Sequence, residues 1–129
     1  MPAPFPSASS NRDAKPADTA LSIVDAAVCR DLTTGSGEWK CARVDGAVEP
    51  GRLFFYTRIK SPTDTIVEHR WYQGDKLRHT GEMKISANTS EGYRTYSRFT
   101  IDARSTGSWR VEVRTKDGHV LREARFDVR

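Results

Sequence analysis

The amino-acid sequence predicts an all-β fold, an immunoglobulin-like or fibronectin-like antiparallel β-sandwich of about seven to eight strands. Three observations predict it. Apolar and polar residues alternate in short runs, turn residues punctuate those runs at intervals of about ten, and no segment carries a convincing 3.6-residue helical period. The chain has 129 residues, the length of one domain. A chain of that size buries roughly two-thirds of the surface its unfolded form exposes.

Residues 1–19 hold four of the six prolines together with Ala, Ser, Asn and Asp, and show no apolar periodicity. Such a segment buries too little surface to offset its ordering entropy, so a disordered linker or tail is expected there and the sandwich over residues 20–129. It also lacks the apolar stretch of a secretory signal, and so reads as a linker or leader left over from something upstream.

Residues 21–30 alternate Val24, Ala26 and Val28 on one face, although Asp25-Ala26-Ala27 also fits the start of a helical turn. Residues 33–37 form a Gly-rich loop, 39–44 a short strand, and Asp45-Gly46 and Pro50-Gly51 are turns. In the next strand Leu53, Phe55, Thr57 and Ile59 share one face and Phe54, Tyr56, Arg58 and Lys60 the other. The first face is the core face, because side chains alternate along a strand.

Residues 65–73 repeat the pattern, with Val67, His69 and Trp71 inward and Ile66, Glu68, Arg70 and Tyr72 outward. Gly74-Asp75 then makes a tight hairpin turn. A strand over 77–85 follows, with a bulge or bend expected at Gly81. Residues 88–92 read as a loop before a strand over 93–101. Trp109, Val111 and Val113 alternate with Arg110, Glu112 and Arg114, and Asp117-Gly118 turns the chain into residues 119–128. Leu121 and Phe126 differ in parity, so a bulge near residues 122–124 is expected if both are buried.

Composition excludes several functions. No run approaches the roughly 20 apolar residues of a spanning helix, so no transmembrane segment is expected in this chain. The net charge is +4, and from residue 52 onward 16 Lys and Arg stand against 10 Asp and Glu. These cations are spread singly along alternating positions. The runs of five to eight that mark a nucleic-acid tract are absent, which argues against nucleic acid as a partner.

Cys29 and Cys41 are the only cysteines and flank the Gly-rich loop. A disulfide between them would close a short loop for about 3 kcal/mol and would place the chain in an oxidising compartment. Two buried thiols are the alternative. His69, His79 and His119 show none of the paired spacing that metal geometry imposes, so neither a metal nor a cofactor is expected. Nucleophilic catalysis lacks a G-x-S-x-G elbow, and no Gly-rich loop has phosphate-binding spacing. The reading is therefore not an enzyme. Asn88-Thr89-Ser90 fits a glycosylation sequon, a match short enough to arise by chance.

The aromatic positions remain. Trp71 and Trp109 lie on the apolar faces of their strands and are expected in the core, with His69 hydrogen-bonded beside them. Arg70 and Tyr72 project from the opposite face, and Arg94, Tyr96 and Arg98 share one parity in the strand over 93–101. Tyrosine and arginine clustered on an exposed sheet face stack on sugar rings or form interface hot spots. These five residues are the candidate ligand site.

Five stretches carry a resemblance. They are Gly51-Arg52-Leu53-Phe54-Phe55-Tyr56-Thr57, His69-Arg70-Trp71-Tyr72, Gly92-Tyr93-Arg94-Thr95-Tyr96-Ser97, Gly107-Ser108-Trp109-Arg110-Val111, and Asp117-Gly118-His119-Val120-Leu121 through Phe126-Asp127-Val128. In that order, from about residue 20 to the C-terminus, they resemble the bacterial domain-of-unknown-function family 2914. The resemblance implies no named activity and no catalytic residues. Family members commonly follow a membrane segment or a low-complexity linker, which implies an extracytoplasmic or periplasmic location; a cytoplasmic one stays open, since no signal peptide is visible. The family's recurrent His, Trp, Arg and Ser positions look like His69, Trp71, Arg94 and Ser97. The function expected is a noncatalytic binding module of the bacterial cell envelope, for a glycan or another envelope polymer. The alternative is a structural or protein-interaction domain appended to a membrane-anchored partner.

Overall fold

The computed structural model describes residues 21–35 and 37–129. The expected tail and the start of the sandwich at residue 20 lie outside the described residues. Nine strands run among the described residues: β1 (Ser22–Thr33), β2 (Lys40–Arg43), β3 (Ala47–Val48), β4 (Gly51–Ser61), β5 (Thr65–Gln73), β6 (Lys76–Ile85), β7 (Asn88–Ile101), β8 (Gly107–Thr115) and β9 (Val120–Val128). They form two sheets, one in the order β2-β1-β4-β7 and one in the order β3-β9-β8-β5-β6. All pairings are antiparallel except that of β9 with β3, where Asp127 pairs Ala47 and Val128 pairs Val48.

With the short β2 and β3 set aside, β1, β4 and β7 face β9, β8, β5 and β6, the immunoglobulin-like Greek-key arrangement. The core lies between these layers. Val28, Leu53, Phe55 and Ile59 meet Val67, Trp71, Trp109, Val111, Val113 and Phe126. Each set occupies alternate positions of its strand, so the period-2 pattern of β4, β5 and β8 builds the interior directly. Ala26, in the stretch that also fitted a helical turn, is strand and pairs Thr57.

Several local expectations are corrected, each by a pairing between strands. In β1 the register shifts between Ile23 and Asp25, so Val24 is the extra residue and stands 40% exposed. Ile23 packs against the core in its place, and only Ala26 and Val28 keep the expected inward face. The expected bulge at Gly81 falls instead at Arg78, between the pairs Trp71 with His79 and Tyr72 with Leu77. Gly81 lies in regular register opposite His69, where a Cβ would come within 2.9 Å of the Met83 Cε.

Residues 88–92 are not a free loop but the irregular start of β7. Asn88 pairs Ser61 and Tyr93 pairs Ile59, leaving the residues between them as a wide bulge. The Asn88 Oδ1 accepts the backbone N–H groups of Ser90, Glu91 and Gly92, which holds that bulge in shape. The β9 bulge falls at Leu121, just before the expected place, and lets both Leu121 and Phe126 reach the core. Gly74 adopts φ 57° between β5 and β6, a conformation glycine takes without steric cost, and so supports the two-residue hairpin.

Candidate functional site

Three places in the fold receive the residues singled out in the sequence. The first is the interior, where Trp71 and His69 are fully buried and Trp109 almost so. The Trp71 indole N–H can only donate, and it donates to the Ser97 Oγ at 3.1 Å. The Ser97 hydroxyl then donates to His69 Nδ1 at 2.7 Å, leaving Nε2 to donate to the Thr57 Oγ1 at 3.2 Å. That arrangement gives each donor of the trio an acceptor. Burial pulls the His69 pKa from 6.5 to about 3, so the ring is neutral.

A serine within hydrogen-bond reach of a histidine is the first requirement of a nucleophile and its base. Here both side chains are sealed between the sheets, with the serine also engaged by Trp71. Three of the four positions singled out by the resemblance, His69, Trp71 and Ser97, are thus joined in one network linking β5 to β7 across the two sheets.

The second place is the outer face of the five-stranded sheet, which carries Arg70 and Tyr72. Across the strands Glu68 stands opposite Arg114, Arg70 opposite Glu112, and Tyr72 opposite Arg110. Arg70 pairs with Glu68 at 3.1 Å, Arg110 with Glu112 at 3.3 Å, and Arg125 with Glu123 at 2.8 Å. The Arg110 guanidinium lies 4.1 Å above the Tyr72 ring. Arg70 and Tyr72 are therefore engaged within their own sheet face.

The third place is the outer face of the four-stranded sheet. Arg94, Tyr96 and Arg98 lie on β7 here, on the far side of the molecule from Arg70 and Tyr72, so the five candidate residues do not form one surface. The register arranges this face in rows across β1, β4 and β7: Asp25, Arg58 and Arg94; then Ala27, Tyr56 and Tyr96; then Cys29, Phe54 and Arg98. Successive rows are two residues, or about 7 Å, apart along each strand.

Cys29 and Cys41 are bonded, with an S–S distance of 2.01 Å. The bond lies on this face because Cys29 shares its side of β1 with Ala27. Just before β2, Trp39 turns back over the sheet, its ring 5.8 Å from that of Tyr56 and 6.0 Å from that of Tyr96. Phe54 meets Tyr96 edge-on at 5.9 Å. Tyr56 is covered, whereas Tyr96 remains 38% exposed and Trp39 and Phe54 are half-buried.

The charges around this aromatic cluster are unevenly matched. Asp25 is held by Arg43 at 2.5 Å, and the Arg58 Nε donates to the Glu91 carbonyl. Arg94 stands directly opposite Arg58, a like-charge pairing that costs stability. Among the described residues neither Arg94 nor Arg98 has a hydrogen-bond or ion-pair partner. The face thus presents one exposed ring with, on either side of it along β7, a guanidinium that has no partner among the described residues.

Trp39 and Phe54 were not among the candidates. Phe54 shares parity with Tyr56, but its neighbourhood with Tyr96 depends on the pairing of β4 with β7. Trp39 had one usable signal, its place two residues before a cysteine. Elsewhere, a cleft of about 510 Å³ opens between the start of β5, the end of β6 and Lys116, lined by Ile66, Ile85 and Lys84 without a histidine or cysteine. Among the described residues no three His, Cys, Asp or Glu side chains gather as metal ligands would, and no helix is long and apolar enough to cross a membrane.

No curated protein matches the sequence. Among solved structures, the chain is similar to a GH3 β-glucosidase from Bifidobacterium adolescentis at 15% identity and a TM-score of 0.42, covering 84% of this chain and 17% of that one. It is also similar to a β-glucosidase from Erythrobacter marinus at 9% identity and a TM-score of 0.48, covering 84% and 15%. A β-glucosidase from Kluyveromyces marxianus gives 9% identity, a TM-score of 0.42, and coverage of 81% and 14%. The chain thus spans about a sixth of the length of these enzymes.

One family model matches residues 64–128. That range holds β5 to β9, with the His69, Trp71 and Ser97 network and Arg94, and it excludes the stretch at residues 51–57 and everything before it. The match is shorter than the resemblance implied but covers half of the chain, and the chain belongs to the DUF2914 family, described as proteins of unknown function.

Proposed function

We propose that this domain is a noncatalytic binding module of the bacterial cell envelope, and that it holds an acidic glycan on the outer face of the four-stranded sheet around Tyr96. One observation carries the reading: Arg94 and Arg98 flank an exposed tyrosine without any partner among the described residues. Of the four positions singled out by the resemblance, Arg94 alone is not consumed by the interior. Aromatic rings stack on the apolar faces of sugars, and guanidinium groups engage carboxylates or phosphates through paired hydrogen bonds. The Cys29–Cys41 disulfide supports an oxidising, extracytoplasmic location.

Calorimetric titration with polygalacturonate, and with dextran as the neutral control, tests the proposal. The acidic polymer is expected to bind and the neutral one to bind weakly or not at all, with affinity falling as salt rises. Tyr96→Ala and Arg98→Ala should each weaken binding, whereas Tyr72→Ala should leave it unchanged. Absence of binding to acidic polysaccharides would sink the reading.

A second reading has its own support. Among the described residues strand β7, of 14 residues, pairs only with β4, and its other edge has no neighbouring strand. Open edges are sites of protein pairing, which suits a domain appended to a membrane-anchored partner. Crosslinking in cells from a photoreactive residue at position 95 should then capture one defined membrane protein; a strictly monomeric adduct pattern would count against it.

A further inference from the structure

The Cys29–Cys41 disulfide and Trp39 belong to one device. Strand β2 has four residues and, among the described residues, bonds only to β1 and forms the outermost strand of its sheet. Its pairing is interrupted by a register shift between Cys29 and Asp31. So short a strand holds its place weakly through backbone hydrogen bonds alone. The covalent bond joins it to Cys29, which is fully buried beneath the outer face.

Trp39 directly precedes β2, and to reach Tyr56 and Tyr96 it crosses the whole width of β1. The row it meets begins at Ala27 on β1, whose side chain is small and buried, and continues into Tyr56 and Tyr96. Trp39 therefore sits at the end of a short edge strand whose other anchors, the Arg43–Asp25 ion pair and Val44, lie at the opposite end, yet it builds one wall of the Tyr96 cluster.

We infer that ligand binding on this face is conditional on the Cys29–Cys41 bond, which acts as a redox-sensitive latch holding Trp39 against Tyr96. The inference rests on the glycan-binding reading of the same face. An external dithiol supplies the reducing equivalents. Its thiolate attacks the sulfur of Cys41, on the edge strand, and Cys29 leaves as a thiolate that takes up a proton. The second thiol then displaces Cys41, so the protein gains two thiols and the reductant becomes a cyclic disulfide. Once the bond is open, β2 can detach and Trp39 lifts from the sheet, exposing Tyr56 and dispersing the aromatic wall.

Trp39 also reports on the change. The other two tryptophans, Trp71 and Trp109, are buried in the core on strands of the other sheet. Fluorescence and polygalacturonate titration of the folded protein, before and after dithiothreitol, form the test. Reduction is expected to shift the emission to the red, with the shift absent in Trp39→Phe. Affinity should fall at least about tenfold and recover on reoxidation, while the far-UV circular dichroism and a cooperative melt persist. The pair Cys29→Ala with Cys41→Ala should behave as the reduced protein does.

Unchanged emission and affinity after complete reduction would overturn the inference. So would loss of the whole fold, because the bond would then staple the domain rather than control one face. A red shift with no polysaccharide bound in either state upholds the latch and overturns the glycan reading instead.

Discussion

The two outer faces of the sandwich are built from similar residues arranged to different ends. On the five-stranded sheet each arginine of β5 and β8 stands across from a carboxylate or lies over a ring: Arg70 from Glu112, Arg114 from Glu68, and Arg110 over Tyr72. On the four-stranded sheet Arg94 faces Arg58, and Arg98 faces Phe54. Cross-strand opposite charges stabilise a sheet and like charges destabilise it, each by a fraction of about 1 kcal/mol. The first face thus sets its charges opposite one another, although Glu112 Oε1 and Arg114 Nε are buried there without a hydrogen-bond partner among the described residues, while the second places like charges and rings side by side. The difference teaches that a Tyr/Arg composition does not mark a binding surface until its cross-strand partners are known.

Both faces hang on one interior, and the largest effect should come from breaking it. Ser97→Ala strands the Trp71 indole N–H and the His69 Nδ1 together, and should destabilise the domain by about 2 to 4 kcal/mol in urea unfolding. Loss of that order would blunt the contrast between the faces, since β5 and β7 are joined through this serine.

Next comes acid. His69 titrates at 6.5 when unfolded and at about 3 when folded, so between those values the unfolded chain binds the extra proton. The stability this group confers is complete above pH 6.5 and falls as pH drops toward 3, by roughly 1 kcal/mol per pH unit. Urea midpoints at pH 7 and pH 5 should show it, and His69→Gln should flatten that slope. A slope unchanged in His69→Gln would show that other groups govern the acid transition.

The comparison itself is sharpened by substitutions on each face. Arg98→Ala or Tyr96→Ala should weaken polygalacturonate binding at least about tenfold, with the fold's stability changed little. The smallest effect belongs to the other face: Tyr72→Ala removes the stacking of Arg110 and should cost about 0.5 to 1 kcal/mol of stability, with no change in binding. If Tyr72→Ala abolished binding and Tyr96→Ala did not, the roles assigned to the two faces would be reversed.

Much of the fold was legible in the residues. Leu53, Phe55 and Ile59 face inward because alternation along one strand needs no knowledge of any other. The same holds for Val67, His69 and Trp71, and for the hairpin at Gly74. Bulges were less legible: Val24, Arg78 and Leu121 are extra residues only relative to a partner strand. Residues 88–92 read as loop because Asn, Thr, Ser, Glu and Gly favour turns. Only the pairing with β4 and the three bonds to Asn88 make them part of a strand.

The candidate site divides along the same line. Sequence parity placed Arg70, Tyr72, Arg94, Tyr96 and Arg98 correctly as outward-facing. It did not reveal that β5 and β7 belong to different sheets, which puts the first two on one side of the molecule and the last three on the other. Parity is a local property of the backbone, whereas sheet membership, and the journey of Trp39 across β1 to Tyr96, depend on contacts between residues distant in the chain. The residues alone carried the all-β class and the inward faces of β4, β5 and β8, and they offered Cys29 and Cys41 as a pair that the structure then showed to be bonded. Which outward residues meet, and which arginines lack a partner among the described residues, follows only from the tertiary structure, because long-range pairing sets both.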